Sequence, residues 1–313
     1  MAAAAATANK TADLRRDLNG LEKAAHAVAD RLPDLVLEAE RVAANVSHGI
    51  HGRRRAGPGE TFWQFRQYGT NDGAQMIDWR RSASSDQLYV REREWEAAHT
   101  VWLWMDRSPS MAFVSELARQ PKVDRALTLG LAAADLLVRA GERVGLLGVT
   151  RPLATRGIVE RLAEALLEDE RKGAAEVETP QADPLPARCQ AILIGDFLAP
   201  LEKLRAMIES LSARGAAGHL VMIADPVEET FPFAGHIEFA DSDSPARLRV
   251  GRAEAFRDVY VEKLALHRDG LRAACLSRGW SFAIHRTDRP AAEALLALRL
   301  RLEDGGKTYA GSA

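Results

Sequence analysis

Cysteine is nearly missing: Cys189 and Cys275 are the only two in 313 residues. Two thiols build neither a disulfide framework nor a cysteine zinc site, so both are expected as reduced packing residues. No stretch reaches the roughly 18 uninterrupted apolar residues of a membrane span. The best run, Leu129–Val138, carries Asp135. The alanine-rich start, Met1–Lys10, has no basic flank ahead of an apolar segment and so lacks a secretory pattern. Together these point to a cytoplasmic protein. Net charge is also small: 42 basic against 44 acidic residues leaves −2. That balance argues against a globally basic nucleic-acid binder and against an acidic disordered chain. Several chemical signatures do not occur. There is no G-x-x-x-x-G-K-[ST] phosphate loop, no G-x-G-x-x-G after a first strand, no H-E-x-x-H and no G-x-S-x-G. The 8 histidines are scattered; His99, His219 and His285 flank or sit in strands and read as structural.

What remains is ordinary globular material, 47% hydrophobic and 27% charged. At ~150 residues per domain, the length suggests about two domains. Leu14, Leu18, Leu21, Ala25, Val28 and Leu32 form one helical stripe. Pro33 is expected to end that helix, with a second following from Asp34 to about Asn45. The stripe suits packing on the chain's own core, or alternatively a partner helix. Between Phe62 and Trp104 lie nine aromatics, in a chain with only 6% aromatic residues, and glycines 52, 57, 59, 69 and 73 punctuate residues 47–100. This reads as a small β-rich, turn-rich module with a strand at Asp86–Arg93. Arg53, Arg54, Arg55, Arg80, Arg81, Arg91 and Arg93 give the module a local basic excess. Pairing with carboxylates and stacking on rings explains such arginines best, with an acidic partner and then nucleic acid as weaker readings. Asp78 reads as a turn anchor or a buried ion-pair partner.

From Val101 onward, strands alternate with helices. Strands are expected at Val101–Met105, Arg143–Val149, Ala191–Gly195, His219–Ala224 and Ser281–His285. Helices are expected at Lys122–Ala140, Ile158–Glu170, Leu201–Ala213, Ala253–Arg278 and Ala291–Leu302. That alternation predicts an α/β fold with a parallel sheet covered on both faces. Gly235–Val250 interrupts it as a β-hairpin. Trp102 and Trp104 share one face of the first strand and read as core. The polar end, residues 303–313, is expected to be a disordered tail.

Two of these strands end in aspartate, Asp106 and Asp196. Parallel α/β sheets bind ligands in the crevice at strand C-termini. Asp106-Arg107-Ser108-Pro109-Ser110 places a carboxylate at the strand tip and two hydroxyls on the next turn. Hard divalent cations take oxygen ligands of this kind. Asp106, Ser108, Ser110 and Asp196 are therefore the candidate metal ligands. The cation would be Mg²⁺, with Mn²⁺ or Ca²⁺ as alternatives, and an open position could take a partner's carboxylate. No catalytic residue is assigned.

This D-x-S-x-S run resembles the metal-ion-dependent adhesion site of von Willebrand factor A-type domains. The preceding residues resemble the domain of unknown function fifty-eight family: Gly52-Arg53-Arg54-Arg55, Gly57-Pro58-Gly59-Glu60-Thr61-Phe62, Phe65-Arg66-Gln67-Tyr68, Ile77-Asp78-Trp79-Arg80, Ser82-Ala83 and Leu88-Tyr89-Val90-Arg91-Glu92. The resemblance runs from about Val42 to Leu302. Gly69-Thr70-Asn71-Asp72-Gly73 departs from it, standing where the family usually has Gly-Asp. The adhesion-site pattern also wants a threonine, and Thr150, Thr155 and Thr179 leave that ligand unassigned. The residue pattern gives a helical arm (1–46), the β-rich module (47–100) and an α/β domain (101–302), and the resemblance implies that this last domain is von Willebrand factor A-like, Rossmann-like. It further implies a non-enzymatic adaptor or partner of a MoxR-type AAA+ ATPase. The alternatives are a metal-free scaffold acting through the arginine and aromatic module, and a Mg²⁺-dependent hydrolase.

Overall fold

The computed structural model describes residues 31–47, 62–69, 73, 77–93, 99–172, 177–180, 184–187, 189–240 and 247–310. The chain divides into two compact units, Met1–Gly49 with His99–Ala313, and Ile50–Ala98. Helix α1 spans residues 31–47 and contains Pro33. The expected break falls on the turn before Pro33, most of which lies outside the described residues. Both penalties of a proline fall on the turn before it, so the residues after it stay helical at no cost. Leu35, Ala39, Val42 and Val46 of α1 are buried in the sheet's core, so this part of the expected arm packs on its own chain. The stripe from Leu14 to Val28 lies outside the described residues.

In the smaller unit, β1 (Phe62–Gln67) pairs antiparallel with β2 (Tyr89–Arg93), and α2 (Trp79–Ser82) lies between them in sequence. Asp78 caps α2 by accepting the Arg81 N–H at 3.0 Å. The Ser82 hydroxyl donates to the Asp78 carbonyl at 2.8 Å and accepts the Tyr89 N–H at 2.9 Å. Asp78 is therefore a turn anchor. Arg80 and Arg81 are exposed, with Arg81 over the Tyr89 ring. The side chains of Arg53, Arg54, Arg55, Arg91 and Arg93 lie outside the described residues.

The larger unit continues with β3 (Thr100–Met105), α3 (Lys122–Arg139), β4 (Arg143–Leu146), α4 (Ile158–Arg171), β5 (Cys189–Gly195), α5 (Leu201–Ser212), β6 (Ala217–Ala224) and α6 (Pro226–Thr230). The antiparallel hairpin β7 (Ile237–Ala240) and β8 (Arg247–Val250) follows, then α7 (Arg257–Ser277), β9 (Ser281–Arg286) and α8 (Ala291–Ala310). Five strands form one parallel sheet in the order β4-β3-β5-β6-β9. This is an α/β, Rossmann-like architecture with helices on both faces.

The side-chain alternation of a strand assigns the faces. Leu103, Ile192, Ile194, Val221 and Ile223 pack with α1, α3, α4 and α8. Leu193, Leu220 and Met222 point the other way, toward α5 and α7. Trp102 and Trp104 pack against this second cluster, as core residues should. Both cysteines are free and buried. Trp280, 1% exposed, lies flat on Gly218, where a Cβ would come within 2.2 Å of its ring, and donates to the Ala216 carbonyl at 2.9 Å.

Three of the boundaries that differ from the sequence expectation have a local cause. β4 stops at Leu146, because Gly148 adopts φ +76° in the turn that follows. The last long helix opens as a 3₁₀ turn, Ala253–Phe256, before α7. Helix α8 runs on to Ala310 through the expected disordered tail. A helix already nucleated gains a bond per residue, which carries it across Gly305 and Gly306 at ~1 kcal/mol each. Among the described residues, no helix is long and apolar enough to cross a membrane.

Candidate functional site

Strand order fixes where a crevice opens. From β3 the chain crosses to β4 on one side, and from β5 it crosses to β6 on the other. The connections therefore diverge between β3 and β5, the switch point at which open α/β sheets bind ligands. Asp106 follows β3 and Asp196 follows β5, so both candidate carboxylates stand at that point. The Asp106 N–H is tied to the Ile194 carbonyl of β5 at 2.8 Å. Gly195 makes this approach possible, since a Cβ there would meet Asp106 Cβ at 2.7 Å and Oδ2 at 3.0 Å.

The structure brings all four candidate residues together. Asp106 is fully buried, and its Oδ1 accepts the Ser108 N–H at 2.9 Å. Asp106 Oδ2 is buried with no hydrogen-bond partner among the described residues. Burial, and next the charge of Asp196, raise the Asp106 pKa to about 7. Ser108 and Ser110 hydroxyl oxygens lie 3.2 Å apart. Ser110 donates to Asp196 Oδ2 at 2.8 Å. Asp196 is followed by Phe197 at φ +48°, a conformation costly for a non-glycine residue. Packing of the Phe197 ring on Trp104 at 6.1 Å and a 2.7 Å contact of its carbonyl with His267 Nε2 hold it there. Arg107 points away from the crevice and pairs with Asp169 and Glu170 of α4.

Three participants were not legible as candidates. Lys122, at the start of α3, is 1% exposed and bridges Asp196 Oδ2 at 3.0 Å and Glu228 Oε1 at 2.6 Å. Burial works against its charge, yet these two carboxylates hold its pKa above the ordinary lysine range. Asp225 follows β6, the third sheet strand with an aspartate directly after it. Its Oδ1 accepts the Val227 N–H and its Oδ2 the Ser115 N–H, while Glu228 Oε2 accepts the Asp225 N–H at 2.8 Å. Asp225-Pro226-Val227-Glu228 is a capping box with proline at N1, and that spacing was the signal available in the sequence.

Among the described residues, no three His, Cys, Asp or Glu side chains are grouped as a metal site. The oxygens at the switch point are of mixed type, and their chemistry suits a hard cation. Asp106 Oδ2 lacks a donor among the described residues, and Ser110 gives its proton to Asp196, so Ser108 is the donor across the hydroxyl pair and one Ser110 lone pair is left over. The Asp106 carboxylate and two hydroxyls are oxygens of the kind such cations take and would fill part of the shell. A hydroxyl ligand oriented by an outer carboxylate is a common second layer around metals. Lys122 occupies Asp196 and so restricts that carboxylate to the outer role. Of the threonines, Thr150 accepts the Leu146 N–H and Thr155 donates to the Arg156 carbonyl, each within its own turn. Thr179 is buried beside Glu178, which lines the same groove as Ser110 and Asp196. His99 is exposed, whereas His219 and His285 are buried within strands.

Comparisons place the chain among known proteins. It is 25% identical over 293 residues to an uncharacterized protein of Mycobacterium bovis, covering 84% of this chain and 86% of that one. Uncharacterized proteins of two Mycobacterium tuberculosis strains match to the same extent. Among solved structures, the conserved hypothetical protein BatB from Bacteroides thetaiotaomicron aligns with a TM-score of 0.35 at 12% identity. An aerotolerance-related membrane protein from Bacteroides fragilis aligns at 0.36 and 16%. Each alignment covers 66% of this chain and all of the other. Residues 64–270, which run from within β1 through the switch-point crevice to most of α7, match one family, and the chain belongs to it: Protein of unknown function DUF58.

Proposed function

We propose that the switch-point crevice is a divalent-cation-dependent docking site for a carboxylate of a partner protein. The observation that carries this reading is Asp106 Oδ2: a buried carboxylate oxygen with no hydrogen-bond partner among the described residues, on the strand end that leads into Ser108 and Ser110. Such an orphan asks for an explanation, and an ion that joins it is the simplest. Asp106, Ser108 and Ser110 would hold the cation, with Asp196 orienting Ser110. The bound ion would supply a positive charge with an open position for an incoming acid. This chain's own residues contribute the rest: Gly195 admits Asp106, and Lys122 and Glu228 keep Asp196 fixed.

The finer fold reading, von Willebrand factor A-like, belongs to the same proposal. So does the partner, a MoxR-type AAA+ ATPase, with the chain as a non-enzymatic adaptor. Both rest on the resemblance of D-x-S-x-S and of the Ile77-Asp78-Trp79-Arg80 box. Titration calorimetry with Mg²⁺, Mn²⁺ and Ca²⁺ tests the ion. Saturation at 100 times Kd adds about 2.7 kcal/mol of stability, and Asp106→Ala abolishes it. Capture of a purified MoxR-type ATPase in Mg²⁺ but not in chelator supports the partner.

Lys122 favours a second reading, in which its ammonium is the built-in cation and the site works without metal. Partner capture that survives chelator but fails in Lys122→Met selects that reading over the first.

A further inference from the structure

The β9 edge of the sheet holds a cavity of about 410 Å³, within the range of specific ligand pockets. Strand alternation puts His219 and Val221 of β6 and Ser281 and Ala283 of β9 on its floor, and α8 forms a wall. Small side chains leave the space: Ser281 and Ala283 on the strand, Ala294 and Ala297 on the helix. Helix α8 runs back along β9, so Arg301 returns to the level of the strand's start, where its Nη1 donates to the Phe282 carbonyl at 2.8 Å. A guanidinium has donors to spare after one such bond, and among the described residues Arg301 has no carboxylate partner. His219, 6% exposed, stands within reach of its charge. The His219 Nδ1 lies 2.8 Å from the Ser281 hydroxyl, and its Nε2 is buried without a partner among the described residues. With the Ser281 hydroxyl donating to Nδ1, the ring proton sits on Nε2, a donor with no acceptor. Burial, and next the charge of Arg301, lower the His219 pKa to about 4. The ring is therefore neutral at pH 7, and Arg301 is the charge lining this end. At the other end charges balance: Arg268 pairs with Glu229 at 2.7 Å, Arg286 with Asp288 at 2.6 Å, and Arg289 is matched in number by Glu293.

We propose that this end of the cavity binds the carboxylate of a small organic acid. Arg301 offsets the charge, the His219 Nε2–H gives a neutral hydrogen bond, and Val221, Ala283 and Leu298 contact a short apolar body. One uncompensated guanidinium selects a monoanion, and its planar fork matches a carboxylate. The buried imidazole donor gains the acceptor it lacks. The site lies at the N-terminal ends of β6 and β9, whereas the switch-point crevice opens at strand C-termini, so its failure leaves the docking proposal untouched.

Titration calorimetry on the full chain at matched ionic strength tests it with hexanoate, acetate, hexylamine and hexyl phosphate. Hexanoate should bind at least tenfold more tightly than acetate, since each buried methylene is worth about fourfold, and hexylamine should not bind. Arg301→Gln should weaken hexanoate by roughly tenfold or more. That change also uncaps the Phe282 carbonyl, so Ala297→Leu, at an exposed position, serves as the second variant. It fills the groove and should weaken hexanoate equally with Tm unchanged. Hexanoate should also raise the His219 pKa above about 4 in an NMR titration, because the anion offsets Arg301. No saturable hexanoate binding, or binding that neither variant alters, overturns the site and leaves Arg301 as a guard of the sheet edge. Equal affinity for acetate and hexanoate overturns the apolar body and keeps the oxyanion. Hexyl phosphate binding more tightly than hexanoate overturns the carboxylate head.

Discussion

Replacing Asp106 with asparagine isolates the electrostatic cost of the crevice. In the wild type the carboxyl titrates near 3.8 when unfolded and at about 7 when folded. The folded chain therefore holds its proton across a window in which the unfolded chain has released it. Stability from this group is complete below about pH 4, declines as pH rises through the folded pKa, and stays low above it. At 1.36 kcal/mol per pKa unit, a rise of about three units is worth about 4 kcal/mol at most. Asparagine keeps the acceptor for the Ser108 N–H and has no ionisation. Its amide, facing the same unpartnered position, adds a cost that does not vary with pH. The quantity to read is thus the difference in slope between the two proteins, since other titrating groups cancel to first order. Urea unfolding in chelator at pH 5 and pH 8 gives it directly. The wild type should lose stability relative to Asp106→Asn between these values, and saturating Mg²⁺ at pH 8 should restore it in the wild type alone. Parallel pH dependence of the two proteins in chelator would refute the reasoning, because Asp106 would then ionise without penalty.

Further perturbations follow from the same geometry. Lys122→Met leaves Asp196 and Glu228 without their shared cation, and urea unfolding at pH 7 should show a loss of about 3–5 kcal/mol, as for a broken buried ion pair. Gly195→Ala pushes a methyl against Asp106, with an expected cost of about 1–3 kcal/mol and a reduced Mg²⁺-induced Tm shift. His219 and His285 are each held at about 4 by burial, with Arg301 and Arg125 as the respective secondary causes. Unfolded histidine takes up its proton first as pH falls below 6.5, so stability declines between about pH 6.5 and 4. His219→Gln should flatten that decline by up to about 3 kcal/mol in urea unfolding at pH 7 against pH 4.5.

The sheet was legible because its signals are local. Buried parallel strands such as Ile192-Leu193-Ile194 are short apolar runs, and each ends near a turn that punctuates the chain. The pairing of Asp106 with Asp196 was legible too, because strand ends in this topology face one crevice. Lys122 was not. A lysine at the start of a helix ordinarily faces solvent, and only the fold brings Glu228 and Asp196 to its ammonium. Glu228 was obscured in the same way, since a capping box predicts where a helix begins and says nothing of its second oxygen. His219 and Arg301 line one cavity from two elements, and no periodicity links them.

Helix α1 carries a topological consequence. It precedes the unit formed by Ile50–Ala98, yet its Leu35, Ala39, Val42 and Val46 complete the core that β3 begins after it. Arg31 reaches across to Asp124 of α3 at 3.1 Å. The smaller unit is thus spliced into a domain rather than appended to one, leashed at both ends to a single body. A fragment starting at His99 would bare the apolar surface that α1 covers, and a force applied to the spliced unit would be delivered to its host at two points.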